Sequence, residues 1–233
     1  MSDEKQTEET VETTEAGAKS SSASVELAGL YAFKVGMSAV FSEDGERIPV
    51  TVLKYEPMIV SQVKTKATDG YEALQVAFKP DRASRTNAAA KGHLTKTGFE
   101  NGAKYLREVR MESVPPGVAV GTKVSIDSFK KGDLVKIMSL SKGRGFQGPV
   151  RRWGFKGGPA THGSGFHRKP GSVGNRTWPG RVMPGKRMAG QWGNEATTIK
   201  NIKIVDVIPE ENVVLVKGSV PGARNSLVRL TKV

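Results

Sequence analysis

The chain of 233 residues carries 36 Lys and Arg against 23 Asp and Glu, a net charge of +13, with 37% hydrophobic residues and no cysteine. The missing cysteine excludes disulfides and thiolate metal centres, and no apolar run reaches the length of a membrane-spanning helix. So basic a balance bears on partners rather than on fold, and it points to a polyanion or an anionic membrane surface, with a merely basic soluble enzyme as the plain alternative.

The chain opens with residues 1–24, which hold six acids, two lysines and few apolar side chains. Such a segment buries too little surface to offset its ordering entropy, so the first 26 residues are expected to form a disordered acidic tail. It has no apolar core of a secretory signal and is too acidic for a transit peptide, which leaves a cytoplasmic protein by elimination. Setting residues 1–24 aside leaves about +17 on the remainder. From 29 to 80, short β-rich runs flank two hairpin dipeptides, Asp44-Gly45 and Asp69-Gly70. Residues 81–113 change character. There ASRTNAAAKGHLTKTG and NGAKYLREVRM read as loop and partly helical. Strand patterns return in TKVSIDSF and DLVKIMSL, with Lys131-Gly132 turning between them. After residue 195 come TTIKNIKIVDVI and NVVLVKG, joined by PEEN. Many short strands at short spacing predict a mainly β fold, a small closed barrel or a sandwich.

Between these strands lies a different material. Residues 134–194 contain no Asp or Glu and twelve Lys or Arg, from Lys136 to Arg187. Residues 141–193 include fourteen glycines and five prolines, and all three tryptophans, Trp153, Trp178 and Trp192, fall there. Neither helical nor strand periodicity persists. An irregular loop of this length is foreign to a compact domain. A disordered basic linker would not hold three tryptophans. An ordered extension whose polar groups are satisfied by another macromolecule fits better, because basic and aromatic side chains together suit a nucleic-acid surface.

Two motifs in this stretch mimic nucleotide-binding loops. GRGFQG fits G-x-G-x-x-G at Gly143, Gly145 and Gly148. A dinucleotide site also needs a sustained helix after the third glycine and an acid about 20 residues later. Here Pro149 can open a helix, but Trp153-Gly154 and Gly157-Gly158-Pro159 end it within a turn or two, and the next acid is Glu195. The alternatives are a flexible loop, or glycines that let the backbone lie against a phosphodiester chain while Lys142, Arg144, Arg151 and Arg152 neutralise it. GRVMPGKR, residues 180–187, matches a phosphate-binding loop but has Arg187 where Ser or Thr should hold magnesium, and Pro184 removes a cradle N–H. His162 and His167 have neither cysteine nor a nearby carboxylate to complete a metal site or orient a catalytic base. Two readings of them stand: contact with nucleotides, or solvated loop residues. The tryptophans are either core residues of a small subdomain or stacking partners. Trp153 and Trp178 have arginines beside them, which suits stacking, and Trp192, just before the return to strand, is expected to pack on the barrel.

At this point GLYAFKVGMSAVFSEDGERIPVTVLKYE, KGRGFQGPVRRWGF, ATHGSGFHRKPGSVG, PGRVMPGKRMAGQWGNE and VVLVKGSVPGA together resemble the bacterial large-subunit ribosomal protein L3 family. The resemblance runs from about Gly29 to near the C-terminus and keeps several long motifs in order. It implies a closed β-barrel similar to those of translation factors, a small partly helical insertion, and a long irregular basic extension that threads into large-subunit (23S) ribosomal RNA. It implies a tip near the peptidyl transferase centre, a part in early subunit assembly, neighbouring ribosomal proteins as partners, and a place in the large subunit in the cytoplasm. It implies no enzymatic activity, cofactor, metal, membrane or small-molecule substrate. The expected division is 1–26 acidic tail, 27–140 first part of the barrel with the insertion at about 81–113, 141–193 extension, and 194–233 closing strands. The expected RNA-contacting cations are Lys142, Arg144, Arg151, Arg152, Lys156, Arg168, Lys169, Arg176, Arg181, Lys186 and Arg187. With them go Trp153, His162, His167, Asn175, Thr177 and Trp178, the innermost bend being PGSVGNRTWPGRV. Some bacterial members carry a methylated glutamine in this bend; Thr177 aligns with it, so that modification is not expected here. The acidic stretch before the first strand is a departure from the family pattern. Two rival readings are a soluble RNA-binding assembly factor that leaves the particle, and an enzyme that binds NAD or another nucleotide in the glycine-rich loop.

Overall fold

A computed structural model describes residues 25–115 and 117–233. The acidic stretch 1–24 lies outside the described residues. Val25 is tied to the rest of the fold: its N–H donates to the Lys123 carbonyl and its carbonyl accepts from the Ser125 N–H.

The strands are β1 (Gly29–Phe41), β2 (Arg47–Tyr55), β3 (Met58–Lys64), β4 (Ala73–Pro80), β5 (Ala103–Arg110), β6 (Lys123–Val124), β7 (Leu134–Leu140), β8 (Gly145–Gln147), β9 (Gly190–Trp192), β10 (Ala196–Ile208), β11 (Val213–Lys217) and β12 (Leu227–Lys232). Six of them close a barrel in the order β1-β12-β7-β10-β11-β2, and every neighbouring pair is antiparallel. Closure removes the sheet edges that would otherwise invite pairing with another chain. Strand β7 shows the period-two logic that builds it: Val135, Ile137 and Ser139 are buried, while Leu134, Lys136, Met138 and Leu140 face out. Val214 and Val216 of β11 and Val228 and Leu230 of β12 are buried in the same core.

The remaining strands of the first half do not enter the barrel. They form a second, four-stranded antiparallel sheet in the order β5-β4-β3-β6. One hydrophobic core joins barrel and sheet. The first five residues of β1 are all buried, because this half-strand is covered by the sheet as well as by the barrel. At the junction Tyr31 stacks on Phe78 at 5.7 Å, Phe78 stacks on Tyr105 at 5.4 Å, and Phe33 meets both rings at their sides. Two hydroxyls stitch the layers together. Tyr31 donates to the Glu108 carbonyl, and Tyr55 donates to the Val124 carbonyl while accepting from the Met58 N–H.

The expected hairpins at Asp44-Gly45 and Asp69-Gly70 both form, the second with one helical turn, α1 (Lys66–Asp69), at its bend. Helical structure within 81–113 is limited to short 3-10 turns around α2 (Ala88–Leu94), which Asn87 caps by accepting the Ala90 N–H. NGAKYLREVRM, read from sequence as loop and helix, is the edge strand β5. Its charged residues Lys104, Arg107, Glu108 and Arg110 suit an edge and obscure the alternation. TKVSIDSF, read as a strand, pairs only at Lys123 and Val124. Beyond them Ser125 Oγ receives the Asp127 N–H and turns the chain.

Candidate nucleic-acid interface

Strands β7 and β10 are hairpin partners, with Leu140 opposite Ala196. The acid-free stretch is the turn of that hairpin, enlarged. Its two ends stay together: the Ser141 N–H donates to the Glu195 carbonyl, and the Glu195 N–H returns to Ser141 Oγ. One step out, the Arg144 N–H donates to the Trp192 carbonyl and β8 pairs with β9. Gly193 makes this neck possible. It stands at φ +74, and a Cβ there would lie 2.0 Å from the Lys142 carbonyl oxygen. Arg144 covers the Trp192 ring, its guanidinium 4.4 Å from the ring centre.

Above the neck, Pro149 opens the short helix α3 (Pro149–Trp153), and Gly154, in the left-handed region, ends it. The helix braces the returning arm. Arg152 Nη1 and Trp153 Nε1 both donate to the Met188 carbonyl, at 3.1 and 2.8 Å. Arg152 and Arg187 flank the Trp153 ring at 4.9 and 5.6 Å. Trp153 thus has an intramolecular role as a cross-brace and still leaves a face open, being 41% exposed.

Beyond the brace, internal structure thins out. Within 155–188 only four backbone–backbone hydrogen bonds form, among them Gly158 N–H to the His167 carbonyl at 2.7 Å. His162 and His167 both take positive φ, and both side chains are exposed. Lys156, Arg168 and Lys169 follow one another along this middle section, all exposed and without side-chain partners among the described residues. At the tip the chain doubles back, so that Asn175, Arg176 and Arg181 line one hollow and Asn175, Arg181 and Lys186 an adjoining one. Thr177 is exposed, and Trp178 is 84% exposed.

No residue from 141 to 193 is buried. The ion pairs among the described residues are Lys64–Glu108, Lys79–Glu56 and Lys232–Asp133, and none of them uses a cation of the extension. Eleven positive charges therefore stand on one arm with no protein counter-charge among the described residues. Phe146, Val173, Trp178 and Met183 are exposed on the same arm. Such a surface can neutralise phosphates and stack bases. It has no enclosed acid–base pair, and among the described residues no three His, Asp or Glu side chains cluster as metal ligands do.

The two nucleotide-loop mimics have the wrong surroundings. Strand β8 within GRGFQG is three residues long and antiparallel to β9, and the helix after it has five residues, whereas a dinucleotide site is a parallel strand–helix–strand unit. Residues 180–187 are bends and turns with no strand leading into them. Sequence reasoning did not mark Lys34 as a site residue. The fold brings it to the neck beside Lys142, Arg144 and Trp192, and nothing local in β1 signals that proximity. Trp192 lines the same cleft as Val220 and Pro221 of the loop between β11 and β12.

The family model for ribosomal protein L3 matches residues 117–212, which take in the whole extension and both strands that carry it. The large ribosomal subunit protein uL3 of Bdellovibrio bacteriovorus is 60% identical over 210 residues, covering 90% of this chain and 95% of that protein. The protein of the same name from Desulfotalea psychrophila is 49% identical over 87% of this chain and 96% of its own length. That of Streptococcus pyogenes is 46% identical over 87% of this chain and 95% of its own.

Proposed function

The chain belongs to the ribosomal protein L3 family, and from that premise we propose that residues 141–193 take their final shape on large-subunit (23S) ribosomal RNA, with the bend at 175–178 reaching toward the peptidyl transferase centre. The protein is a structural, RNA-binding constituent of the large ribosomal subunit rather than an enzyme. The observation that carries the proposal is the arm of eleven cations, none of them in an ion pair among the described residues, with no buried residue between 141 and 193.

An arm without a core pays its ordering entropy when it binds. Phosphate neutralisation and counterion release supply most of the affinity. If about half of the arm's cations meet phosphates, the log–log salt slope is on the order of −5. Glycine and proline keep the backbone narrow enough to enter gaps between RNA helices. RNA shape and a few stacked or hydrogen-bonded bases supply specificity, from Trp178, Asn175 and the exposed histidines. The barrel anchors the arm and offers its outer face to RNA and to neighbouring ribosomal proteins. An arm that orders on bare RNA suits a protein that joins the subunit early in assembly.

Chemical footprinting of large-subunit RNA tests this, with the full chain and with a version lacking 142–192. The deletion joins Ser141 to Gly193 just outside the hydrogen bonds between Ser141 and Glu195, so strands β7 and β10 are expected to keep their pairing. The full chain is expected to protect a set of nucleotides that the shortened chain leaves reactive, alongside a second set that both protect. Identical footprints would remove the arm from the interface.

A further inference from the structure

We propose that the cleft at the root of the extension is a clamp for one RNA phosphodiester and the base next to it, distinct from the contacts of the arm beyond the neck. It rests on the RNA-binding reading above and joins Lys142 and Arg144, already expected to contact RNA, to groups that were not: Lys34, Trp192 and the loop of Val220 and Pro221. Its floor and walls come from three parts of the chain: Lys34 of β1, the neck residues Lys142, Arg144 and Trp192, and the loop of Val220 and Pro221.

Lys34 Nζ donates to the Val220 and Gly222 carbonyls at 2.6 and 3.2 Å, which fixes the ammonium at the cleft and leaves it one N–H. Burial, and then the neighbouring charge of Lys142, hold the Lys34 pKa below the usual lysine value. Lys34 and Lys142 thus line one cleft with like charge, and the lining has no carboxylate to relieve them. An anion seated between them would remove that repulsion. Arg144 adds a third cation and, with the Trp192 ring 4.4 Å beneath it, a stacked planar surface at the cleft wall. A phosphodiester with an adjoining base uses both features; a lone carboxylate or free phosphate uses only the charge. The hydrogen bonds of the neck hold these groups before RNA arrives, so the clamp binds without the ordering that the arm beyond 155 requires.

The test follows the three indole N–H resonances of the full chain, assigned by Trp→Phe substitution, during titration with the trinucleotide ApApA and, separately, with inorganic phosphate. The Trp192 signal is expected to shift saturably with ApApA, with affinity about tenfold above that for phosphate because one base stacks. Lys142→Gln is expected to weaken ApApA about tenfold; the Lys142 side chain makes no hydrogen bond among the described residues, so this variant keeps the fold. Trp192 and Trp178 responding with equal affinity would overturn the clamp, and so would inorganic phosphate matching ApApA, which would make the cleft a small-anion site. The same preparation is assayed for binding to large-subunit RNA. Salt-dependent RNA binding with an unmoved Trp192 signal sinks the clamp alone, and absent RNA binding sinks the reading beneath it.

Discussion

Strands β7 and β10 run side by side through registered pairs from Leu140–Ala196 to Leu134–Lys203, and Val135, Ile137, Ile202 and Ile204 are buried along them. The loop they carry has no buried residue from 141 to 193, and only four backbone–backbone hydrogen bonds within 155–188. The hairpin satisfies its polar backbone and covers its apolar side chains with its own chain. The loop does neither, and it concentrates positive charge that the protein does not answer. Stability and function therefore sit on different residues, joined at a neck only a few residues wide. Substitutions in the barrel core should change melting and spare RNA binding, and substitutions in the arm should do the reverse.

The largest expected effect is that of deleting 142–192. Affinity for large-subunit RNA should fall at least about a hundredfold near physiological salt, while the barrel melts within a few degrees of the full chain. A large loss of melting temperature would show that the arm supports the fold, and the separation would fail. Next comes Gly193→Ala, which places a Cβ against the Lys142 carbonyl at a positive φ. Its local cost should be about 2–4 kcal/mol, seen as opening of the neck and weaker RNA binding, with barrel amides still protected from exchange.

Tyr55→Phe probes the other side. It leaves the Val124 carbonyl and the Met58 N–H unpartnered inside the core, at a cost of about 1–3 kcal/mol. Melting should drop by about 2–4 °C per kcal/mol, with RNA affinity unchanged. Burial pushes the Tyr55 hydroxyl up to about 12 from its ordinary 10.0. The unfolded chain therefore ionises first as pH rises. The contribution of this group is whole below 10.0 and is lost as pH climbs toward about 12. In Tyr55→Phe that part of the alkaline loss should be absent, and an unchanged alkaline limb in urea titrations would show that the hydroxyl is not the group responsible. The smallest effects belong to the tip. Arg176→Gln should reduce the salt slope of RNA binding by about 1. Arg176 and Trp178 substitutions should alter sensitivity to peptidyl-transferase-directed drugs in assembled ribosomes more than barrel substitutions do; unchanged drug profiles would count against the placement of the tip.

Much of this division was legible in the sequence because it is written in local terms. Alternation in DLVKIMSL marks a strand with one buried face, and sixty residues without a carboxylate mark a partner with the opposite charge. Pro149 and Trp153-Gly154 set the bounds of α3. What sequence did not give is what depends on distant pairing. Strands β3, β4 and β6 read like the barrel strands beside them, yet with β5 they build a separate sheet, since nothing within a strand states its partner. Charges on β5 hid an edge strand. Trp153, read as a stacking residue, also braces the arm through the Met188 carbonyl, a bond spanning 35 residues. Lys34 reaches the neck only through barrel closure, and its hydrogen bonds to Val220 and Gly222 cross most of the chain.

The most direct test is amide hydrogen exchange on the full chain, free and bound to large-subunit RNA. In the free protein the barrel amides should be protected, and those of 155–188 should exchange at nearly the rates of an unstructured peptide; RNA should slow the latter by orders of magnitude and leave the barrel almost unchanged. Strong protection of 155–188 in the free protein, indifferent to RNA and to salt, would contradict the claim that the arm takes its shape from the polyanion around it.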